Sequence, residues 1–199
     1  MTPPDEELSL TQELTLQARI LGSFVGVFWL VELIDQFVFR GNLDRFGIAP
    51  RAASGLQGIF FAPFLHGSWP HLISNTVPFV VLGWFVMIQE TADFIIVTVF
   101  SLLTAGLGTW LFGATGSVHV GASSLIYGYL GFLLLRGYFE RNQTSVMLSI
   151  LVFFLYGGVV WGVLPTQAGV SWEGHLFGFV GGVLAARYLS KQRRRHRDR

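Results

Sequence analysis

The chain has no cysteine among its 199 residues, so neither a disulfide framework nor a thiolate metal site is open to it. It is also poor in charge. Asp, Glu, Lys and Arg make up 13% of it, roughly half the fraction usual for a soluble domain. No polar stretch is long enough to form a second domain. No basic segment precedes the first apolar run, where Asp5, Glu6, Glu7 and Glu13 stand instead. A cleaved signal peptide has the opposite character, so this run reads as a retained span. Internal repeats and low-complexity segments are lacking too, apart from a basic tail. What is present is apolar: 52% hydrophobic residues and a mean hydropathy of +0.56. The combination points to an integral membrane protein.

Crossing the hydrocarbon takes about 20 mainly apolar residues. Six segments qualify: 19–39, 70–89, 94–112, 119–138, 146–164 and 172–190. The expected fold is therefore all-α, a polytopic bundle of six transmembrane helices over 19–190. A short N-terminal segment (1–18) and a basic tail (191–199) flank it. Glu32 and Asp35 fall in the first span, where bonds between helices in the bundle interior are their expected use. The one long connection, Arg40 to Trp69, mixes Gly41, Gly47, Pro50, Gly55, Gly58 and Pro63 with the apolar run Ile59-Phe60-Phe61-Ala62. Such a loop is expected to lie in the membrane interface and pack on the helices. The other loops are short, so consecutive spans should be antiparallel neighbours.

Basic residues set the orientation. Seven of the thirteen lie between Arg187 and Arg199. With that tail in the cytoplasm, an even number of spans places the N-terminus there as well. The cytoplasmic side then gathers Arg19, Arg136, Arg141 and the tail, against Arg40, Arg45 and Arg51 opposite. This agrees with the positive-inside rule. The tail has no aromatic partners, so topology anchoring with attraction to anionic lipid is expected rather than nucleic-acid binding.

In this topology spans two, four and six all begin on the outer face. His71 and Asn75 lie at the start of span two, Ser123 at the start of span four, His175 at the start of span six. At 1.5 Å rise per residue each is roughly 5–10 Å below its helix start. Polar groups in a membrane are costly and usually face the bundle interior or a water-filled cavity. A common depth on alternate helices argues for one shared cavity. His71 and Asn75 are four residues apart and share a helix face, as do Ser123 and Tyr127. Gly174, Gly178 and Gly182 form a small-residue stripe on span six, and Ser124, Gly128 and Gly131 a similar one on span four. Ordinary helix packing explains either stripe alone. Together they allow Ser123 to come within hydrogen-bond reach of His175.

The set His66-x4-His71-x3-Asn75, Gly121-x-Ser123 with Tyr127, and Gly174-His175-x2-Gly178-x3-Gly182 resembles the catalytic core of rhomboid intramembrane serine proteases. The resemblance is to the basic six-span bacterial form and covers about residues 20–190. It implies Ser123 as nucleophile and His175 as general base, working as a dyad without an acidic third member. It implies that Tyr127 packs against the His175 ring, and that His71, Asn75 and the Ser123 amide form an oxyanion hole. The helix N-terminus at Ser123, with unpaired amides and a favourable dipole, is an independent reason for the last role. His66 would help keep water near the site. The chain departs from the family at Ser124, where the usual pattern G-x-S-G has glycine. A tolerated substitution is expected there, the hydroxyl bonding back to its own helix with slightly looser contact. The family's Trp-Arg dipeptide in the first loop is also missing.

The resemblance implies an endopeptidase acting on transmembrane protein substrates within the lipid bilayer, with no cofactor, no metal and no nucleic-acid partner. Access would be lateral, with span five and Trp161 near its outer end as the gate. A multi-pass protein of this size suits a bacterial or archaeal inner membrane, both termini in the cytoplasm. The alternative is a catalytically inactive rhomboid-like protein that binds membrane clients; such proteins typically lose the serine or the histidine, and this chain keeps both. A small transporter is disfavoured, because the polar groups cluster near one face and no inverted repeat occurs. A zinc site made by His66, His71 and His175 is the weaker use of those rings, as the chain lacks H-E-x-x-H. Glu173 is expected as a polar rim residue, since helix neighbours point about 100° apart. His119 is expected as a solvated loop residue.

Overall fold

The computed structural model describes residues 8–166 and 169–197. The outermost parts of the expected N-terminal segment and tail, 1–7 and 198–199, lie outside the described residues. Among the described residues seven α-helices carry the fold: α1 (Leu10–Ile34), the short α2 (Gly58–Phe61), α3 (Trp69–Met87), α4 (Asp93–Phe112), α5 (Ser123–Glu140), α6 (Gln143–Tyr156) and α7 (Trp172–Arg197). No strand occurs among the described residues; one isolated antiparallel bridge pairs Ile48 with His119.

Local chemistry sets the helix ends. Ser9 and Gln12 form a capping box, each side chain accepting from the other's backbone N–H. That cap starts α1 at Leu10, well before the expected span at 19. Its far end loosens into a π-helical turn, Asp35–Phe39, closed by Arg40 at φ 55°. Ser68 caps α3 by accepting from the His71 amide, and Pro70 sits in the first turn, where its missing N–H costs nothing. Glu32 and Asp35 are 1% exposed but do not bridge helices as expected. Glu32 accepts from Gln36 one turn on, and Asp35 Oδ1 accepts from the Leu43 amide at 2.9 Å, closing the chain as it leaves the helix.

Among the described residues four helical segments are long and apolar enough to cross a membrane: Leu10–Phe39, Trp69–Met87, Asp93–Phe112 and Gln143–Val163. α5 and α7 do not meet that description, and packing explains why. α5 is enclosed by α3, α4, α6 and α7, and every residue from Leu125 to Leu133 is buried. A helix shielded from lipid need not be apolar throughout. Glycines bring α5 and α7 into backbone contact: a Cβ on Gly182 would collide with the Gly128 carbonyl, and one on Gly131 with that of Phe179. An aromatic cluster fills the space beside them, with Phe28 edge-on to Phe79 at 5.0 Å and Phe94 against Tyr129 at 5.4 Å.

The chain from Arg40 to Trp69 folds into short helical turns docked on α4 and on the segment before α5. Ile59 fills the notch that Gly106 leaves in α4. The Arg51 amide donates to Trp110 O, and the Trp110 indole donates to Ala52 O at 2.9 Å. The Arg51 guanidinium adds a bond to Leu111 O at 2.9 Å and another to Thr115. These contacts anchor the loop without a Trp-Arg dipeptide, using a tryptophan from α4 and an arginine from the loop.

α7 continues through most of the basic tail, and one tail residue turns inward. Arg193 pairs with Asp93 at 2.6 Å and with Glu140. Arg136, fully buried, pairs with the same carboxylates at 3.1 and 3.0 Å. The cluster ties α4, α5 and α7 together at the end remote from Ser123. Removing one partner of such a cluster leaves uncompensated buried charge. Arg136→Leu is therefore expected to destabilise the protein by about 3–5 kcal/mol, measured as a lowered thermal midpoint in detergent.

Candidate active site

Gly121 begins the site. Its φ of +116° is a region that L side chains rarely adopt, and the His71 ring lies where its Cβ would be, at 2.6 Å. The glycine breaks the chain from the helical path, so α5 starts at Ser123 itself, four residues later than the expected span at 119. The Ser123 amide is thereby left in the first turn, where no i−4 carbonyl is available.

Ser123 Oγ lies 2.9 Å from His175 Nε2. The other ring nitrogen, Nδ1, lies 2.9 Å from Gly162 O. A carbonyl only accepts, so Nδ1 carries the proton and Nε2 is left bare to accept from the serine hydroxyl. The backbone thus fixes the tautomer that a general base requires, a task often given to a carboxylate. Tyr127 stacks on the His175 ring, with centroids 4.0 Å apart and planes 11° from parallel. Its hydroxyl donates to Val159 O at 2.8 Å. Both orienting carbonyls belong to one 3-10 segment, Gly157–Val163, that continues α6.

His71 and Asn75 face Gly121 from α3; the Asn75 amide nitrogen would lie 3.4 Å from a Cβ there. Asn75 is 6% exposed, and its Nδ2 has no hydrogen-bond partner among the described residues. A buried donor left unpaired costs free energy. Asn75 lines a cavity of about 790 Å³ together with Ser123, His71, Tyr127 and His175. His66 does not line this cavity and is not placed to hold water there. It is 1% exposed, packed between Phe28 and His71, and its Nε2 accepts from the Ala122 amide next to Ser123. Burial first, and His71 second, push its pKa down to about 3, so the ring stays a neutral acceptor.

Two other expectations change. Glu173 is 6% exposed and lines the cavity wall, more covered than a rim position, with no hydrogen bond to His175 among the described residues. His119 is no solvated loop residue: its ring is held by Ser117 at 2.7 Å and Ser171 at 2.6 Å. Among the described residues no group of three or more His, Asp or Glu side chains is placed to hold a metal ion.

Comparison with known proteins shows the family. The family model described as Rhomboid domain matches residues 53–192. The chain belongs to the rhomboid family. It is 44% identical to an uncharacterized protein of Mycobacterium tuberculosis, over 88% of this chain and 76% of the relative. It is 40% identical to an uncharacterized protein of Mycobacterium leprae, over 99% of this chain and 84% of the relative. A Bacillus subtilis protein, YdcA, named as a candidate rhomboid protease, is 25% identical over 67% of this chain and 66% of its own length.

In this rhomboid Ser124 does not hold the helices apart. A Cβ on Gly178 would collide with the Ser124 carbonyl, so the backbones already touch. The Ser124 hydroxyl makes no hydrogen bond among the described residues, neither the expected one to its own helix nor one to His175. Sequence reasoning missed the carbonyls of Gly162 and Val159, which carry no side-chain signal. It also missed the pairing of His119 with Ser171, 52 residues apart. A second histidine two residues before Gly121 was the one available clue.

Proposed function

We propose that this rhomboid is an intramembrane serine endopeptidase that cuts peptide bonds in or near transmembrane segments. The observation that carries the reading is the serine–imidazole pair with its tautomer fixed by Gly162 O. In the acylation step His175 Nε2 takes the Ser123 proton as Oγ attacks the substrate carbonyl carbon. The resulting oxyanion is met by the Asn75 amide, the His71 ring and the Ser123 backbone N–H. The tetrahedral adduct collapses to an acyl-enzyme, and the leaving amine takes the proton from Nε2. Water then repeats the sequence in reverse and frees Ser123. While the imidazolium exists, Gly162 O accepts from Nδ1–H and the Tyr127 face lies against the cation. Ser124, Gly178 and Gly182 serve by letting α5 and α7 approach, and Gly121 by leaving room for the His71 ring.

The same reading supplies topology and access. Residues 19–190 form the membrane unit with six crossings, α5 and α7 running inside the ring of more apolar helices. The 1–18 segment and the 191–199 tail lie in the cytoplasm, and the first loop rests in the outer interface of a bacterial inner membrane. α6 buries little beyond Ser145, Leu148 and Val152, and Trp161 is 71% exposed. That makes α6 and its 3-10 extension the lateral gate. Substrates are transmembrane helices that unwind readily and carry small residues at the cut, because an intact helix keeps its carbonyls hydrogen-bonded.

The experiment is incubation of the detergent-solubilised protein with such a transmembrane segment. A cut that persists in EDTA is expected. Loss in EDTA would point to a metal, and a folded protein that binds the segment without cutting would support an inactive client-binding role.

A further inference from the structure

Outside the dyad, the structure holds a second histidine in a closed chain of hydrogen bonds on the wall of the same cavity. Ser117 Oγ donates to Ala114 O at 2.6 Å, so toward His119 Nε2, 2.7 Å away, it can only accept. His119 Nε2 therefore carries the ring proton, and Nδ1 is a bare acceptor. Ser171 Oγ, 2.6 Å from Nδ1, donates to it while accepting from the Gly174 amide. Every donor in this chain meets one acceptor, with the imidazole neutral.

The segments joined are the ones that fix the dyad. His119 belongs to the extended run that leads through Gly121 to Ser123. Its backbone also exchanges two hydrogen bonds with Ile48 of the first loop, at 2.9 and 3.0 Å. Ser171 caps the first turn of α7, and its carbonyl accepts from the amide of His175 itself at 3.1 Å. The 2.9 Å contact of the dyad spans the gap between these two segments.

We propose that His119, with Ser171, is a positioning pair that sets the distance between Ser123 and His175 by bracing the approach to α5 against the cap of α7. The pair touches neither reacting atom, and its catalytic consequence rests on the peptidase reading above. A brace of this kind acts on rate, because a displacement near 1 Å at the reacting atoms can cost about 10²-fold.

The test uses the full-length protein in detergent, a fluorophosphonate probe and a transmembrane substrate. His119→Phe and Ser171→Ala are each expected to slow probe labelling by about 10²-fold and to lower kcat with KM nearly unchanged. Ser171→Thr, which keeps the capping hydroxyl, should recover most of the rate. The double variant should be no slower than the slower single variant, since both break one linkage. Nitrogen-15 imidazole spectra supply a readout that needs no activity: the wild type should show His119 protonated at Nε2, and Ser171→Ala should shift the His175 signals. His119→Phe labelling at the wild-type rate with His175 signals unmoved would overturn the proposal, as would failure of Ser171→Thr to recover. If the wild type neither labels nor cuts while the His175 signals still move, the peptidase reading falls and the brace stands.

Discussion

Ser123→Ala is expected to reduce cleavage of a transmembrane substrate by on the order of 10⁶, to the limit of detection, because loss of the nucleophile alone removes nearly the whole benefit of such a unit. Removal of one oxygen leaves His175 held by Gly162 O and Tyr127, so the fold and the thermal midpoint should be unchanged. Ser124→Ala is the matched control. Its hydroxyl is unbonded among the described residues and its backbone is packed on Gly178, so activity should stay within a few-fold of wild type, on the scale of an uninvolved surface change. Quantitative cleavage assays on the two variants decide between adjacent serines that sequence spacing alone ranks only weakly. If Ser124→Ala silences the protein and Ser123→Ala does not, the nucleophile is misassigned.

The second large effect is expected at Asn75. Asn75→Ala should lower kcat by about 10²–10³, the usual cost of one oxyanion donor. KM should hardly change, because the bond forms only as negative charge develops. Stability makes the argument sharper. Nδ2 is buried without a partner among the described residues, so its removal also removes a desolvation cost of about 1–3 kcal/mol. The thermal midpoint should therefore stay level or rise while kcat falls. A parallel loss of stability and activity would instead make Asn75 a structural residue.

The sequence carried the parts of the site that are side chains at helical spacing. His71 with Asn75, and Ser123 with Tyr127, are pairs four residues apart whose polarity is conspicuous among apolar neighbours. It could not carry the groups that orient them, because Gly162 and Val159 act through carbonyls that every residue possesses. His119 and Ser171 meet only once α4, α5 and α7 have assembled. The helices followed the same division. Apolar runs marked α5 and α7 as well as α1, α3, α4 and α6, but the sequence did not show that α5 and α7 hide their polar and small residues against each other while the other four carry the longer apolar faces. The basic tail read as a topology anchor attracted to anionic lipid, yet its Arg193 folds back onto Asp93 and Glu140. The local bonds of Glu32 and Asp35 were misjudged because spacing cannot say whether a helical carboxylate bonds across to a neighbour or down its own chain.

The central claim is that Ser123 is activated by His175. Fluorophosphonate labelling of the purified protein, with the modified residue mapped by mass spectrometry, tests it without any knowledge of the substrate. The account predicts a single adduct on Ser123 in the wild type and none in His175→Ala. An adduct on Ser124, an undiminished adduct in His175→Ala, or no adduct on a folded wild-type sample would contradict it.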